Sequence, residues 1–165
     1  MTNASQNEPD LSSIHLWLLL WKASRSVEMH STRSVAQFKM GTTDFGVLEA
    51  LFHKGPLTVT ELRGKVLLTS GSMTTAVDRL ETRGLVARHD DAKDRRARVI
   101  HLTVEGRKLI ECAFARHREE MEAALQGFSR EDRAALLPLL RRLGRVAEEF
   151  HQAPQTTGAT KRRKE

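Results

Sequence analysis

The sequence has little cysteine and few aromatic residues. Its 165 residues include one cysteine, Cys112, and no tyrosine, and aromatic residues make up only 5% of the chain. A single cysteine excludes an intrachain disulfide and a four-cysteine zinc site within one chain, and it favours a reducing compartment. The scarcity of aromatic residues argues against a large β-sandwich and against a surface that stacks single-stranded bases. The core is therefore predicted to be aliphatic.

Long hydrophobic runs and an export signal are also missing. The longest apolar stretch, Ile14 to Trp21, contains His15 and is far shorter than the ~20 residues that a membrane-spanning helix needs. Residues 1–10 contain no Lys or Arg, whereas a signal peptide begins with a basic segment. We therefore expect a cytoplasmic protein. Residues 1–10 and the basic residues 153–165 are predicted to be disordered tails, which leaves one folded domain over residues 11–152.

Motifs of the common enzyme classes are absent from the sequence. It contains no nucleophile elbow, no phosphate-cradling glycine loop, no metalloprotease motif and no dinucleotide fingerprint. Its seven histidines are scattered without the short spacing of metal ligands. We therefore expect neither an enzyme nor a metal protein, and no cofactor.

Positive charge is what the sequence has in excess. Lys and Arg number 27 against 21 Asp and Glu, a net charge of +6, and the isoelectric point is near 10.0. Residues 58–108 hold 11 of the basic and 7 of the acidic residues, a net of +4. A basic protein with its charge concentrated in one segment favours a polyanionic partner, and nucleic acid is the first candidate.

Helical spacing of apolar residues starts with the folded region. Residues 11–38 are predicted to form one long helix, whose polar middle leaves a break near Ser31 open. A second helix ends at Gly55, which a proline follows. A short third helix begins with a capping box, in which Thr58 and Glu61 satisfy each other's backbone amides.

A fourth helix and a hairpin follow. The helix begins at Thr69 or Ser70 and ends with Gly84 as its C-cap. Its inward-facing residues are Met73, Ala76, Val77 and Leu80. Residues 85–88 and 98–102 are predicted to be two strands joined by a densely charged tip.

Two more helices complete the chain. Thr103 caps a helix that extends to about Gln126, and Ser129 caps the last one. The last helix carries Pro138, which predicts a kink, and an apolar stripe near heptad spacing, which favours a partner helix. The stripe residues are Leu136, Leu140, Leu143, Ala147 and Phe150. The predicted fold class is mainly α with a small two-stranded β-wing.

The order helix, turn, helix, charged hairpin predicts a winged helix-turn-helix. In such a fold the second helix enters the major groove of DNA and the hairpin reaches the adjacent minor groove. Hydroxyl side chains at the start of that helix can meet phosphates and base edges, and an arginine one turn later can read a guanine. The candidates are Ser70, Ser72, Thr74, Thr75 and Arg79. Helix capping and an ordinary polar surface are the alternative explanation of the hydroxyls.

The hairpin tip is the second candidate DNA contact. Arginine is favoured in narrow minor grooves, and Asp94 lies two positions before Arg96, close enough to hold its guanidinium. We predict that Arg96 is the inserted side chain. The wing candidates are Lys93, Asp94, Arg95, Arg96 and Arg98. Because the tip mixes both charges, a solvated loop is the alternative.

Two stretches of the sequence resemble the MarR family of bacterial transcription regulators. They are GPLTVTEL and LTSGSMTTAVDRLETRGLVARHDDAKDRRARVIHLTVEGRKL. The second contains the pattern DxxDRRARxxxLTxxG over residues 91–106. The resemblance implies a homodimer whose dimerisation helices, residues 11–40 and 103–152, interdigitate, and a winged lobe over residues 42–102.

The same resemblance implies a function. It describes a repressor that binds a pseudo-palindromic operator until a small lipophilic or phenolic compound, a metal or an oxidant weakens DNA binding. It places the wing aspartate and the groove-inserting arginine on Asp94 and Arg96. The alternatives are an activator, or a ligand-independent architectural or anti-repressor protein of the same fold.

An organic effector suits this sequence better than a metal or an oxidant. Cys112 is expected to be buried and inert, while Lys108 and Arg116 nearby keep a reactive thiol open. An apolar cleft with a few polar groups would hold an aromatic or phenolic compound. The candidate pocket residues are His15, Trp17, Trp21, Phe45, Phe52 and Arg88. Alternatively, the aromatic residues belong to the core and Arg88 faces phosphate.

Overall fold

The computed structural model describes residues 10–66, 73–90 and 98–152, and its elements follow the predicted order. They are α1 (Ser13–Ala36), α2 (Thr42–Lys54), β1 (Leu57–Thr58), α3 (Val59–Lys65), α4 (Met73–Thr82), β2 (Val86–Asp90), β3 (Arg98–Leu102), α5 (Val104–Ala124) and α6 (Arg130–Gln152). The predicted winged helix-turn-helix, made of α3, α4 and the β2–β3 hairpin, is confirmed. The chain forms two compact units, Met1–Leu125 and Gln126–Glu165. None of the helices in the described ranges is long and apolar enough to cross a membrane.

Local capping determines where the helices of the first unit begin and end. The Thr58 hydroxyl accepts a hydrogen bond from the Glu61 amide at 3.2 Å, and the Glu61 carboxylate accepts one from the Thr58 amide at 2.7 Å. This is the predicted capping box of α3. After α4, Gly84 has a φ of 69° and its amide donates to the Glu81 carbonyl at 2.8 Å. Glycine adopts this left-handed conformation without steric cost, so it ends α4 as predicted.

The core of the first unit is aliphatic, as predicted. Its largest fully buried side chains are Leu48, Leu51, Leu62, Leu80, Ile100 and Ile110. They come from α2, α3, α4, β3 and α5. Burying a side chain of this size contributes about 1.5–3 kcal/mol. The core therefore holds α4 and the hairpin in place on α2 and α5.

The sheet has one strand more than predicted. Its order is β1-β3-β2, and both pairs are antiparallel. Val86 pairs with Leu102 across the hairpin, and Leu57 of β1 pairs with Ile100. The prediction of a two-stranded wing missed β1, because two residues are too few to show the alternation that identifies a strand in a sequence.

α1 is continuous from Ser13 to Ala36, so the alternative of a break near Ser31 is wrong. Its last turns are anchored in the first unit, where Ser34 and Val35 are buried. Its first half is apolar from Ile14 to Trp21 except for His15. The exposed residues there include Ile14, Leu16, Trp17, Leu18, Leu19, Leu20 and Trp21. A helix that is apolar all round is normally covered by other protein.

α6 is a single helix that starts at a reciprocal cap. The Ser129 amide donates to the Asp132 carboxylate and the Asp132 amide donates to the Ser129 hydroxyl, both at 3.1 Å, as predicted. The helix continues through Pro138 to Gln152. Of the predicted stripe, Leu136, Leu140 and Phe150 are exposed in the single chain.

Three helices of the first unit meet at His117 of α5. Its Nδ1 lies 2.8 Å from the Ser34 hydroxyl on α1, and its ring centre lies 4.8 Å from that of Phe45 on α2. The Ser34 hydroxyl donates to the Ser31 carbonyl at 2.6 Å, so we assign the proton of the imidazole to Nδ1. Burial lowers the pKa of His117, and the charge of Glu49 on α2 opposes this effect without cancelling it.

We expect His117 to make the protein less stable in acid. Because its pKa is lower in the folded state than the ordinary value of 6.5, the unfolded chain binds more protons as the pH falls below 6.5. Its contribution is therefore fully present above pH 6.5 and is lost progressively below it. His117→Gln keeps a donor for Ser34 and should flatten this dependence. Thermal unfolding at fixed protomer concentration between about pH 8 and pH 5 measures it; equal pH slopes for the two proteins would contradict the expectation.

Candidate nucleic-acid interface

α4 has one apolar and one polar face. Its buried residues are Met73, Ala76, Val77 and Leu80, the four that the sequence predicted to face inward. Thr74 and Thr75 lie in the first turn on the opposite face and are exposed. The first turn of a recognition helix is the part that meets base edges and phosphates. The burial of α4 therefore leaves the two threonines free for such contacts.

Six of the predicted contact residues lie outside the described residues: Ser70, Ser72, Lys93, Asp94, Arg95 and Arg96. The structure places the two residues that flank the hairpin tip. Asp90 ends β2 and pairs in register with Arg98 at the start of β3. The Arg98 side chain is 68% exposed, and its Nε lies 3.9 Å from Asp90 Oδ1. The contacts of the tip with DNA remain predictions.

Arg79 lies on the exposed side of α4 but binds a carboxylate of α2. Its Nε lies 3.1 and 3.0 Å from the two carboxylate oxygens of Asp44, and its Nη2 also donates to Asp44 Oδ1. Asp44 is in the first turn of α2, and its side chain is 4% exposed against 49% for Arg79. The hydrogen bond to Asp44 raises the pKa of Arg79. No sequence pattern indicates this pair, because 35 positions separate its members.

Arg88 of β2 binds two carboxylates of α4. Its Nη2 donates to Asp78 and its Nη1 donates to Glu81. These hydrogen bonds and charges, of which the bond to Asp78 has the largest effect, raise the pKa of Arg88. Asp78 and Glu81 would repel DNA phosphates from α4, so the positive charge of Arg88 reduces that repulsion. The sequence suggested Arg88 as a pocket or phosphate residue and indicated neither of its carboxylate partners.

The turn between α4 and β2 is docked on the first turn of α5. The Thr103 hydroxyl donates to the Gly84 carbonyl at 2.7 Å, and the Thr103 amide donates to the Leu85 carbonyl at 3.1 Å. The same hydroxyl accepts from the Gly106 amide at 3.0 Å. A Cβ atom on Gly106 would lie 1.9 Å from the Leu85 carbonyl oxygen. The base of the wing is thus fixed on α5 by a backbone contact that only glycine permits.

The predicted pocket residues on α1 and the start of α2 lie in different surroundings. Trp17, Trp21 and His15 are exposed on α1. Phe45 is a member of the hydrophobic core. The alternative that its ring belongs to the core is therefore correct for Phe45, whereas the two tryptophans are uncovered in the single chain.

Phe52 lies among rings of α2 and α5. Its ring centre is 5.0 Å from that of His53 and 6.4 Å from that of Phe114. The guanidinium carbon of Arg107 lies 5.7 Å from the centre of the Phe52 ring. These packing contacts account for Phe52 without a ligand.

Cys112 is exposed on α5, so the expectation of a buried thiol is wrong. The buried residues of this helix are Gly106, Ile110 and Ala113. Neighbouring residues of a helix point about 100° apart. Cys112 therefore faces solvent although the adjacent Ala113 is in the core.

The winged segment matches a known family. Residues 42–97 match the family model described as MarR family. The chain is 33% identical over 139 residues to the HTH-type transcriptional regulator MhqR of Bacillus subtilis, an alignment that covers 84% of this chain and 96% of that protein.

Solved structures share the fold. A mutant of MarR from E. coli complexed with operator DNA has a TM-score of 0.71 at 21% identity and covers 79% of this chain and 94% of that chain. BpsR of Bordetella bronchiseptica, whose DNA binding is regulated by 6-hydroxynicotinic acid, has a TM-score of 0.70 at 24% identity and covers 79% of this chain and 98% of that chain.

Proposed function

The chain belongs to the MarR family of transcriptional regulators, and on this basis we propose that it is a homodimeric repressor of a pseudo-palindromic operator. The observation that supports this most directly is the polar face of α4, where Thr74 and Thr75 are exposed close in sequence to an arginine-rich hairpin. The protein acts by binding DNA in the cytoplasm and not by catalysis.

The proposed contacts divide between two grooves. α4 enters the major groove, which at about 12 Å is wide enough for a helix. There the candidate contacts are Thr74 and Thr75, together with Ser70 and Ser72 ahead of them. The wing reaches the adjacent minor groove, where negative potential favours arginine. Its candidate contacts are Lys93, Asp94, Arg95, Arg96 and Arg98.

Two exposed apolar surfaces support a homodimer. One is the first half of α1 and the other is the α6 stripe, of which Leu136, Leu140 and Phe150 are exposed. A two-fold symmetric partner covers the same surface on both copies. It also presents two α4 helices to successive major grooves, about 34 Å apart, as a pseudo-palindromic operator requires.

The proposed effector is a small aromatic or phenolic compound that weakens operator binding. BpsR, which has the same fold, responds to a hydroxylated aromatic acid. In this chain both tryptophans, Trp17 and Trp21, are on the exposed half of α1. Their fluorescence therefore reports a compound that binds next to α1 or changes its surroundings.

A footprint of the protein on the DNA upstream of its own coding sequence tests this proposal. At stated salt we expect two protected half-sites about one helical turn, 10–10.5 base pairs, apart. One compound of an aromatic panel should remove the protection. Protection that every compound leaves unchanged would favour a ligand-independent regulator, and a transcription reporter would separate a repressor from an activator. Absence of sequence-specific protection would contradict the proposal.

Arg96→Ala should weaken operator binding by about 1–3 kcal/mol, because the side chain proposed for the minor groove is removed. Titrations of operator DNA at fixed salt measure this loss. Arg118→Ala, which removes an exposed arginine of α5, is the matched control. Both variants should remain dimers by sedimentation. Equal affinities of the Arg96 variant and the control would exclude Arg96 as the inserted residue.

A further inference from the structure

We propose that Arg79 positions the recognition helix through Asp44. This inference rests on the proposed DNA-binding function, and it gives Arg79 a role other than the expected contact with a guanine. Nε and Nη2 of Arg79 both donate to the carboxylate of Asp44, so two of its nitrogens are engaged by the protein. Arg79 is therefore a link between α4 and α2.

Guanine recognition through the Nε–Nη2 edge of Arg79 would break this link. An arginine reads guanine through two parallel hydrogen bonds from its guanidinium to O6 and N7. If Arg79 turned its Nε and Nη2 toward DNA, it would leave the Asp44 carboxylate without its partner at a site where the side chain is 4% exposed. Buried carboxylates need charged or hydrogen-bonded partners. The carboxylate thus keeps this edge of the guanidinium bound to α2.

The position of Asp44 makes it a fixed point for this link. It lies in the first turn of α2, where the helix dipole and the unpaired backbone amides favour a negative charge. α2 also supplies Leu48 and Leu51 to the fully buried core. A change in the tilt of α4 would separate Arg79 from an aspartate that cannot follow it.

Two further arginines hold other points of α4. Arg88 of β2 binds Asp78 and Glu81. Arg83, just after α4, donates to the carbonyl of Lys39 at 3.1 Å. Recognition depends on a helix held within about 0.5 Å of its productive position by the residues behind it. The link to Asp44 ties the exposed side of α4 to α2.

A loss of charge and a loss of helix position can be told apart, because they predict opposite changes in DNA affinity for Asp44→Asn. Asp44→Asn removes a negative charge, so electrostatics alone would strengthen DNA binding, whereas Arg79→Gln removes a positive charge and would weaken it. If the pair positions α4, both variants weaken operator binding by about tenfold. The double variant is then no weaker than either single one.

The experiment titrates operator DNA and unrelated DNA with the full-length dimer at several salt concentrations. We expect the two single variants to lose operator affinity equally, with an unchanged salt dependence and little change on unrelated DNA. Arg79→Lys keeps the charge but loses the paired N–H groups of the guanidinium. It should therefore retain more operator affinity than Arg79→Gln and less than the unmodified protein. Glu49→Gln removes a partly exposed carboxylate from α2 and is the matched control, with no expected change.

Two results would overturn the inference. Undiminished operator binding by Asp44→Asn, with a loss in Arg79→Gln, would show that Arg79 contacts DNA directly. If the slope of log affinity against log salt concentration became smaller by about one in Arg79→Gln, that contact would be with a phosphate. Should Arg79→Gln fail to fold, the comparison of Arg79→Lys with Asp44→Asn gives the same distinction. Absence of specific binding by the unmodified protein would instead overturn the proposed function, and this inference with it.

Discussion

Replacing Gly106 with alanine is expected to destabilise the protein by about 3 kcal/mol or more. The added Cβ would lie 1.9 Å from the Leu85 carbonyl oxygen and 2.8 Å from its carbonyl carbon. Both are backbone atoms, so no rotamer change relieves the overlap. The same carbonyl accepts from the Thr103 amide at 3.1 Å, so moving it also weakens the joint between the wing and α5. A melting temperature lower by roughly 6–12 °C should result.

A glycine in open space gives the control for this prediction. Gly64 lies within α3, and a Cβ there would meet nothing within 4 Å. Gly64→Ala should be neutral or stabilise by about 0.4–1 kcal/mol, because alanine restricts the unfolded chain. Both variants are compared by thermal unfolding at equal protomer concentration, since dimer stability depends on concentration. If Gly106→Ala unfolded with the temperature of the Gly64 variant, the close contact with Leu85 would be wrong.

The elements predicted correctly are those whose signals are local. Thr58 and Glu61 are three residues apart, and the capping box they form can be seen in the sequence because both groups lie in one helical turn. The inward face of α4 follows from the spacing of its apolar residues. A strand of two residues, β1, has no such spacing, and its partner Ile100 lies more than forty positions away.

The relations that determine the candidate site are not local, and they escaped prediction. Residue type suggested that Arg79 faces DNA, but its environment depends on a carboxylate 35 positions earlier in the chain. Gly106 belongs to the pattern that the sequence shares with the MarR family. The reason for glycine there, the approach of Leu85, emerges only from the packed structure.

The aromatic residues predicted to line one pocket lie in different surroundings. The prediction grouped aromatic residues by type, and the structure divides them. Phe45 is in the core, whereas Trp17 and Trp21 are exposed. The periodic spacing of apolar residues in a sequence indicates which of them share one face of a helix. It does not tell whether the core, a ligand or a second copy of the chain covers that face.

Leu140→Asp is expected to convert the proposed dimer into monomers at micromolar concentration and to lower operator affinity by a factor of about 10² or more. Leu140 is 40% exposed in the single chain, in the middle of the α6 stripe. In a two-fold interface the substitution would bury an unpaired carboxylate twice. A monomer binds only one half-site, so it loses the additional affinity that the dimer obtains from binding two linked half-sites. Sedimentation measures the first effect and operator titration the second.

The control for this prediction is on the same helix. Arg145→Asp introduces a carboxylate on α6 about 140° away from Leu140 around the helix axis, so it should leave the dimer intact. The fluorescence of Trp17 and Trp21 gives an independent measurement of dimerisation. Both side chains are exposed in the single chain, and a partner that covers α1 would shift their emission to shorter wavelength. If Leu140→Asp sedimented as a dimer with unchanged emission, the α6 stripe would not be the interface. The first half of α1 would then remain as the surface for the second copy.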